Sequence, residues 1–173
     1  RLAHRLLLIL APADPASGTL AAEAAAASGL RLCRWDAGET PDENTQVLLA
    51  DDAAQLGLFY RVAPVTFLGG SLLAGHGGHD PLEAAVLGSA VLYGPHVGDH
   101  LASYTRLMDA GAARIVRDDD SLAAAVSALI GPDQAATMAL AGWDVATAGA
   151  DLTDAVLREV QALLEPGPQD SPA

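Results

Sequence analysis

Short apolar runs alternate along this chain with longer segments in which polar residues are interspersed. The runs are continuous and rich in Leu, Val and Ala, which is typical of strands buried on both faces of a parallel sheet. They predict strands at residues 6–10, 30–34, 46–50, 65–68, 90–93 and 113–116.

The segments between these runs have the spacing of helices, and several begin with an Asp or Pro and end near a Gly. They predict helices at residues 16–28, 51–61, 81–87, 100–109, 121–130, 133–147 and 152–164. Because strands and helices alternate throughout, the sequence predicts an α/β fold with a parallel sheet covered by helices on both faces.

Ligands of such folds bind at the carboxyl ends of the strands. In this chain that edge holds Pro12, the loop of residues 69–83 and the turn Gly94-Pro95-His96. The unusual residues of the chain are therefore expected at one edge of the sheet.

The loop after the fourth predicted strand is rich in glycine and histidine, and a helix follows it. Glycines let backbone N–H groups approach an anion, and a helix N-terminus supplies further donors. The loop lacks the Gly-Lys-Ser/Thr of a Walker motif and is not a clean dinucleotide fingerprint. By itself it predicts an anion or nucleotide cradle.

Asp80-Pro81-Leu82-Glu83 has the pattern of a helix start. Asp is a common N-cap, Pro suits the first helical position, and Glu three residues after the cap completes a capping box. Asp80 and Glu83 could therefore be a reciprocal capping pair. The alternative is that Glu83 accepts hydrogen bonds from the hydroxyl groups of a ribose.

Size and charge limit the possible partners. The chain has 173 residues, and its 9 Arg and 22 acidic residues give a net charge of −13, which disfavours non-specific binding to nucleic acid or to an anionic membrane. The single Cys33 excludes an internal disulfide framework and is expected to be a core residue. We expect a domain at residues 1–165, excised from a longer protein, and a disordered tail at 166–173.

Three other constellations lack the pattern of a metal site or of a nucleophilic triad. Four histidines (His76, His79, His96 and His100) have ligand-like separations, but no Cys or suitably spaced Glu completes a zinc set, so no metal is expected. Ser71 is not in a Gly-x-Ser-x-Gly elbow, which leaves turn formation or a hydrogen bond to phosphate. The aspartates at 118–120 are expected to cap the following helix.

Several blocks of the chain resemble the Kdo transferases, the 3-deoxy-D-manno-octulosonic acid transferases of lipopolysaccharide synthesis. The blocks are Leu58-Phe59-Tyr60, Phe67-Leu68-Gly69-Gly70-Ser71-Leu72, Gly77-Gly78-His79-Asp80-Pro81-Leu82-Glu83-Ala84-Ala85 and Val91-Leu92-Tyr93-Gly94-Pro95-His96. They follow the order of the family and resemble its C-terminal half. The resemblance implies the Rossmann-like, donor-binding half of a GT-B fold, with CMP-Kdo as the donor substrate and no cofactor.

The resemblance also implies the roles of individual residues. The phosphate of the donor is expected at the turn Gly69-Gly70-Ser71 and at the loop Gly77-Gly78-His79-Asp80. Glu83 is expected to bind the nucleotide ribose, and Gly94-Pro95-His96 to form the floor of the pocket. No catalytic residue is expected in this domain, because the family places its acidic general base on the N-terminal domain.

The same resemblance implies a setting for the parent enzyme. It would transfer Kdo to a lipid A precursor at the cytoplasmic face of the bacterial inner membrane. This domain would be soluble, with any membrane contact made by the parent protein, and inactive without the N-terminal half.

Some positions depart from the family pattern. Pro12-Ala13-Asp14-Pro15 stands where relatives have Pro-Arg-His-Pro, and Asp80 and Asp99 stand where they usually have Asn. One arginine is thus lost, and up to three carboxylates are gained beside an anion site. A non-catalytic paralogue with a degenerate phosphate site, or a GT-B-like nucleotide-sugar epimerase, therefore remains an alternative.

Overall fold

The computed structural model describes residues 6–50 and 55–164, except the side chains of residues 150–154 and 162. The chain divides into two compact units, Arg1–Val62 and Ala63–Ala173. The predicted domain of residues 1–165 thus spans the first unit and most of the second. The predicted tail and the first residues of the helix predicted at 51–61 lie outside the described residues.

The first unit is a small α/β layer. Its elements are β1 (Leu8–Leu10), α1 (Pro15–Ala27), β2 (Leu32–Arg34), β3 (Val47–Leu49) and α2 (Leu56–Val62). The strands form a parallel sheet in the order β1-β3-β2. The middle strand, β3, is completely buried, as its apolar sequence predicts.

The core of this unit confirms the expected role of the cysteine. Cys33 is a buried free thiol that packs with Leu48, Ala50 and Phe59. Burial is the main cause that raises the pKa of this thiol, with a smaller contribution from the nearby carboxylate of Glu39. Cys33 therefore behaves as a small apolar core residue.

Asp14, one of the positions that depart from the family pattern, has a local structural role. It is the N-cap of α1, where its carboxylate accepts hydrogen bonds from the backbone N–H and the hydroxyl group of Ser17. These bonds lower the pKa of Asp14. The carboxylate is thus accounted for by helix capping.

The second unit is larger and contains most of the predicted site. Its elements are β4 (Val65–Leu68), α3 (Pro81–Val86), β5 (Ala90–Tyr93), α4 (Leu101–Asp109), β6 (Ala113–Ile115), α5 (Asp119–Leu129), α6 (Pro132–Thr147) and α7 (Ala150–Leu164). The strands are parallel in the order β4-β5-β6, and every residue of the central β5 is buried.

The core of the second unit lies between this sheet and α5. Leu92 of β5 and Val116 pack with Ala125 and Leu129 of α5. On α6, Gly142 faces α3: a Cβ added to Gly142 would lie 3.3 Å from the Cβ of Ala85. Helix α6 therefore packs closely on the short helix that follows the glycine-rich loop.

The predicted α/β class and the parallel pairing of the strands are confirmed. The described strands, however, form two sheets of three rather than the single sheet that was expected. The sequence pattern shows where strands lie, but it does not show which strands share hydrogen bonds. Across the described residues, no helix is both long enough and apolar enough to cross a membrane.

Candidate functional site

The carboxyl ends of β4 and β5 are joined by the side chain of Ser71. This residue ends a short 3-10 helix, Gly69–Ser71, and is completely buried. Its hydroxyl group donates a 2.5 Å hydrogen bond to the carbonyl oxygen of Leu68 and accepts a 2.6 Å hydrogen bond from the N–H of Gly94. Because its proton is already donated to Leu68, this geometry favours the turn-forming role for Ser71 over a bond to phosphate.

Gly94 is required where β5 ends because the backbone of the neighbouring turn lies against it. A Cβ on Gly94 would overlap the carbonyl oxygen of Ser71 and would lie 2.5 Å from the Cα of Leu72. The N–H of His96 also donates a 2.8 Å hydrogen bond to the carbonyl oxygen of Ser71. The turn Gly94-Pro95-His96 and the turn Gly69-Gly70-Ser71 are therefore in direct contact, at the edge of the sheet where the sequence predicted both.

The glycine-rich loop packs on the segment that follows this turn. Gly77 and Gly78 have φ angles of +75° and +71°, which favour glycine. A Cβ on Gly78 would lie 3.2 Å from the Cα of Val97, and a Cβ on Gly98 would overlap the carbonyl oxygen of Gly77. The two backbones thus approach each other more closely than residues with side chains would allow.

His79 connects this loop to two other parts of the unit. A Cβ on Gly70 would lie 3.7 Å from the imidazole ring of His79, so the ring lies beside the first turn. The carbonyl oxygen of His79 accepts a 2.8 Å hydrogen bond from the hydroxyl group of Tyr104 on α4. The imidazole itself is part of an exposed residue.

The capping pair predicted for α3 forms only in part. Asp80 is the N-cap, and its carboxylate accepts a 3.0 Å hydrogen bond from the N–H of Leu82. Glu83 lies in the first turn and is exposed, and the described residues provide no hydrogen-bond partner for its carboxylate. Asp80 alone satisfies the helix start here, which leaves the carboxylate of Glu83 available to a ligand.

Part of the predicted set lines an open depression of about 480 Å³. Its walls are formed by the glycine-rich loop, the turn after β5 and the start of α4; the lining residues are Gly75, Gly77, Pro95, His96, Val97, Gly98 and Leu101. Pro95 and His96 are exposed, whereas Val97 is buried beneath them. Predicted residues outside this lining are Gly69, Gly70, Ser71, Gly78, His79, Asp80, Glu83 and Gly94.

The backbone conformation of the glycine-rich loop is compatible with an anion site. Gly77 and Gly78 have positive φ angles, and successive backbone N–H groups in such turns can form anion-binding concavities. Glu83 and His96 add an exposed acceptor and an exposed imidazole to the same unit. The combination suits a ligand that carries both a phosphate and hydroxyl groups.

The described residues contain no group of three or more His, Cys, Asp or Glu side chains that could hold a metal ion. Of the three aspartates expected to cap a helix, Asp118 is the N-cap of α5, and Asp119 and Asp120 lie in its first turn. Asp118 accepts a 2.7 Å hydrogen bond from the N–H of Ser121, and Ser121 completes a reciprocal capping box. Hydrogen bonding to Ser121, first with its side chain and then with its backbone N–H, is the main cause that lowers the pKa of Asp118.

Two structurally important residues were not singled out from the sequence. Gly98 lies just after the Gly-Pro-His turn. An isolated glycine that follows an apolar residue, as Gly98 follows Val97, can indicate a close approach of two backbones. Tyr104 appears in the sequence as one apolar position of a helix, so nothing local indicates that its hydroxyl group reaches the glycine-rich loop.

Comparison with known proteins shows what this chain is similar to. No protein-family model matches the chain. The 3-deoxy-D-manno-octulosonic acid transferase of Haemophilus influenzae is 34% identical over 126 residues, which are 72% of this chain and 29% of the relative. The transferase of Bordetella pertussis is 34% identical over 152 residues, 84% of this chain and 35% of the relative.

A solved structure gives the same result. The crystal structure of the C-terminal CMP-Kdo binding domain of WaaA from Acinetobacter baumannii matches with a TM-score of 0.73 at 28% identity, over 81% of this chain and 73% of that domain. The resemblance to the C-terminal part of the Kdo transferases is confirmed. The chain spans about a third of the length of the Kdo transferases from H. influenzae and B. pertussis.

The individual residue roles implied by the Kdo transferases are a separate question. The structure brings the glycine-rich loop and the two turns into contact, and it leaves Glu83 exposed. The assignment of these residues to a phosphate and a ribose stays a prediction.

Proposed function

We propose that this chain is the donor-binding domain of a Kdo transferase-like glycosyltransferase and that it binds the CMP part of CMP-Kdo. The observation that carries the proposal is the structural match to a CMP-Kdo binding domain, which extends over most of both chains. The contacts among the glycine-rich loop, the Gly69-Gly70-Ser71 turn and the Gly94-Pro95-His96 turn support the same function, because they hold together the three segments that the resemblance assigns to the donor pocket.

Within this proposal the phosphate lies against the loop of Gly77, Gly78 and His79 and against the turn at Gly69 and Gly70. The exposed carboxylate of Glu83 accepts hydrogen bonds from the ribose hydroxyl groups. Pro95 and His96 form the floor of the depression, and Ser71 and Gly94 support it from beneath. Asp80 contributes through its cap of α3 rather than through a ligand contact.

The chemical role of such a domain is to orient the donor and to stabilise the charge that develops on the departing phosphate. Preorganised backbone donors do this at little reorganisation cost, because they are already held in position. We propose that the general base and the acceptor site for a lipid A precursor lie elsewhere in the parent protein, which acts at the cytoplasmic face of the bacterial inner membrane. No cofactor is assigned, and CMP-Kdo enters as a substrate.

A second candidate is a binding module whose phosphate site is impaired. Asp99 is exposed and directly follows Gly98, which lines the depression. A carboxylate near a bound phosphate opposes it by roughly 1 kcal/mol in water and by more where water is excluded. The matched proteins are transferases, which favours a transferase over a nucleotide-sugar epimerase.

Calorimetric titration of the 173-residue chain with CMP tests the proposal, with cytidine as the control that lacks the phosphate. We expect CMP to bind more tightly than cytidine, and the difference to shrink as salt is raised. Equal affinity for the two ligands would support the impaired module, and absence of CMP binding at low salt would refute a donor-binding domain.

The division of labour has its own test. The chain alone should show no transfer of Kdo from CMP-Kdo to a lipid A precursor, whereas the parent protein should. Turnover by the chain alone would contradict the placement of the general base outside it.

A further inference from the structure

The glycine-rich loop is joined to α4 by Tyr104. The side chain of Tyr104 is 1% exposed, and its hydroxyl group donates the 2.8 Å hydrogen bond to the carbonyl oxygen of His79. Among the described residues, no other hydrogen bond joins the backbone of residues 73–79 to a helix or a strand. The loop therefore depends on α4 for part of its conformation.

The position of the Tyr104 hydroxyl group is determined by the core rather than by the loop. The ring lies beside Tyr93 of β5, with a centroid separation of 4.4 Å and an interplanar angle of 35°. Leu107, one turn further along α4, is completely buried. A rigid aromatic ring held between a strand and a helix presents its hydroxyl group at a defined point.

This hydrogen bond also orients one peptide group of the loop. None of the described peptide bonds is cis. In a trans peptide the carbonyl group and the following N–H point in opposite directions. Because the carbonyl oxygen of His79 faces Tyr104, the N–H of Asp80 faces away from Tyr104, and both His79 and Asp80 are exposed residues.

We propose that Tyr104 is a positioning residue of the ligand site. Its hydroxyl group sets the orientation of the peptide between His79 and Asp80 and holds the glycine-rich loop in the conformation that binds the phosphate of CMP. This inference rests on the proposed donor-binding function and adds to it a residue that does not touch the ligand.

Tyr104→Phe removes the hydroxyl group and keeps the ring. Tyr93→Phe is the matched control, because Tyr93 is a buried neighbour whose hydroxyl group contacts the sulfur of Met108 at 3.4 Å and not the loop. Calorimetric titration with CMP should show an affinity about five- to ten-fold lower for Tyr104→Phe, as expected for one lost hydrogen bond. Tyr93→Phe should bind CMP with the affinity of the unsubstituted chain. Cytidine should bind the unsubstituted chain and both variants with the same affinity.

A rescue variant separates the hydrogen bond from general effects on the fold. Tyr104→4-aminophenylalanine keeps a donor at the same place and should restore CMP affinity. The inference is overturned if Tyr104→Phe binds CMP as tightly as the unsubstituted chain does, or if both Phe variants weaken CMP binding equally. It is also overturned if the amino group of 4-aminophenylalanine does not restore CMP affinity. Failure of the unsubstituted chain to bind CMP would instead refute the proposed function.

Discussion

Replacing Ser71 by alanine asks whether this residue belongs to the scaffold of the site or contacts the ligand. Its buried hydroxyl group bonds to the carbonyl oxygen of Leu68 at 2.5 Å and to the N–H of Gly94 at 2.6 Å. The substitution leaves one buried acceptor and one buried donor without this partner, and each such group costs about 1–3 kcal/mol. We therefore expect Ser71→Ala to lower the free energy of unfolding by about 2–4 kcal/mol.

Ser89→Ala is the matched control for this experiment. Ser89 is 1% exposed, donates a 2.7 Å hydrogen bond to the carbonyl oxygen of Ala63 and shares another of 2.7 Å with the hydroxyl group of Thr66. It precedes β5, whereas Ser71 follows β4, so the two serines lie at opposite ends of this parallel strand pair. Ser89→Ala should therefore lose similar stability without changing the CMP affinity of the folded protein.

The two variants require two measurements. Urea unfolding followed by far-UV circular dichroism gives stability, and calorimetric titration with CMP below the unfolding range gives affinity. We expect Ser71→Ala to lose both, because the two turns it joins carry the predicted ligand contacts. If the free energy of unfolding of Ser71→Ala were within about 0.5 kcal/mol of that of the unsubstituted chain, the claim that these buried hydrogen bonds stabilise the fold would be refuted. Lost affinity at unchanged stability would instead assign the hydroxyl group to the ligand.

Three further predictions concern carboxylates. Glu83→Gln should weaken CMP binding by about 1–3 kcal/mol, the range for a charged hydrogen bond, with a smaller change in thermal stability; the reverse result would make Glu83 a purely structural residue. Asp80→Asn combined with Asp99→Asn should tighten CMP binding several-fold at low salt, by about 1 kcal/mol, because the repulsion of the phosphate is removed. Cytidine binding should be unchanged, and the start of α3 should be kept because Asn also caps helices. Equal CMP affinity would place both carboxylates away from the phosphate. The lowered pKa of Asp118 in the folded state means that its ionised form contributes stability above the ordinary value of 3.8, and this contribution is lost as pH falls through the lowered folded-state pKa. Urea unfolding measured against pH should therefore show a constant stability difference between the unsubstituted chain and Asp118→Asn near neutral pH, and a change in that difference below pH 3.8. A stability difference that does not depend on pH would contradict this role of Asp118.

The regular structure of this chain is determined mainly by local sequence. The strand predictions at 65–68 and 90–93 agree with β4 and β5 residue for residue, because short apolar runs flanked by turn residues have few alternatives. Asp14, Asp80 and Asp118 each begin a helix, because an Asp side chain satisfies N–H groups that would otherwise lack a partner. The family was also recognisable, because its motifs lie in continuous blocks.

The tertiary structure decided which residues support the site. Ser71 could have been a ligand donor or a turn residue, and only the approach of Gly94, more than twenty residues later in the chain, shows where its hydroxyl group is engaged. Tyr104 has an ordinary helical position in the sequence, and its bond to His79 exists because α4 packs against the loop. Glu83 could have completed a capping box, and only the structure shows that Asp80 caps α3 without it. Such contacts join residues that are distant in sequence, so hydrophobic periodicity and capping patterns, which are local, carry no information about them.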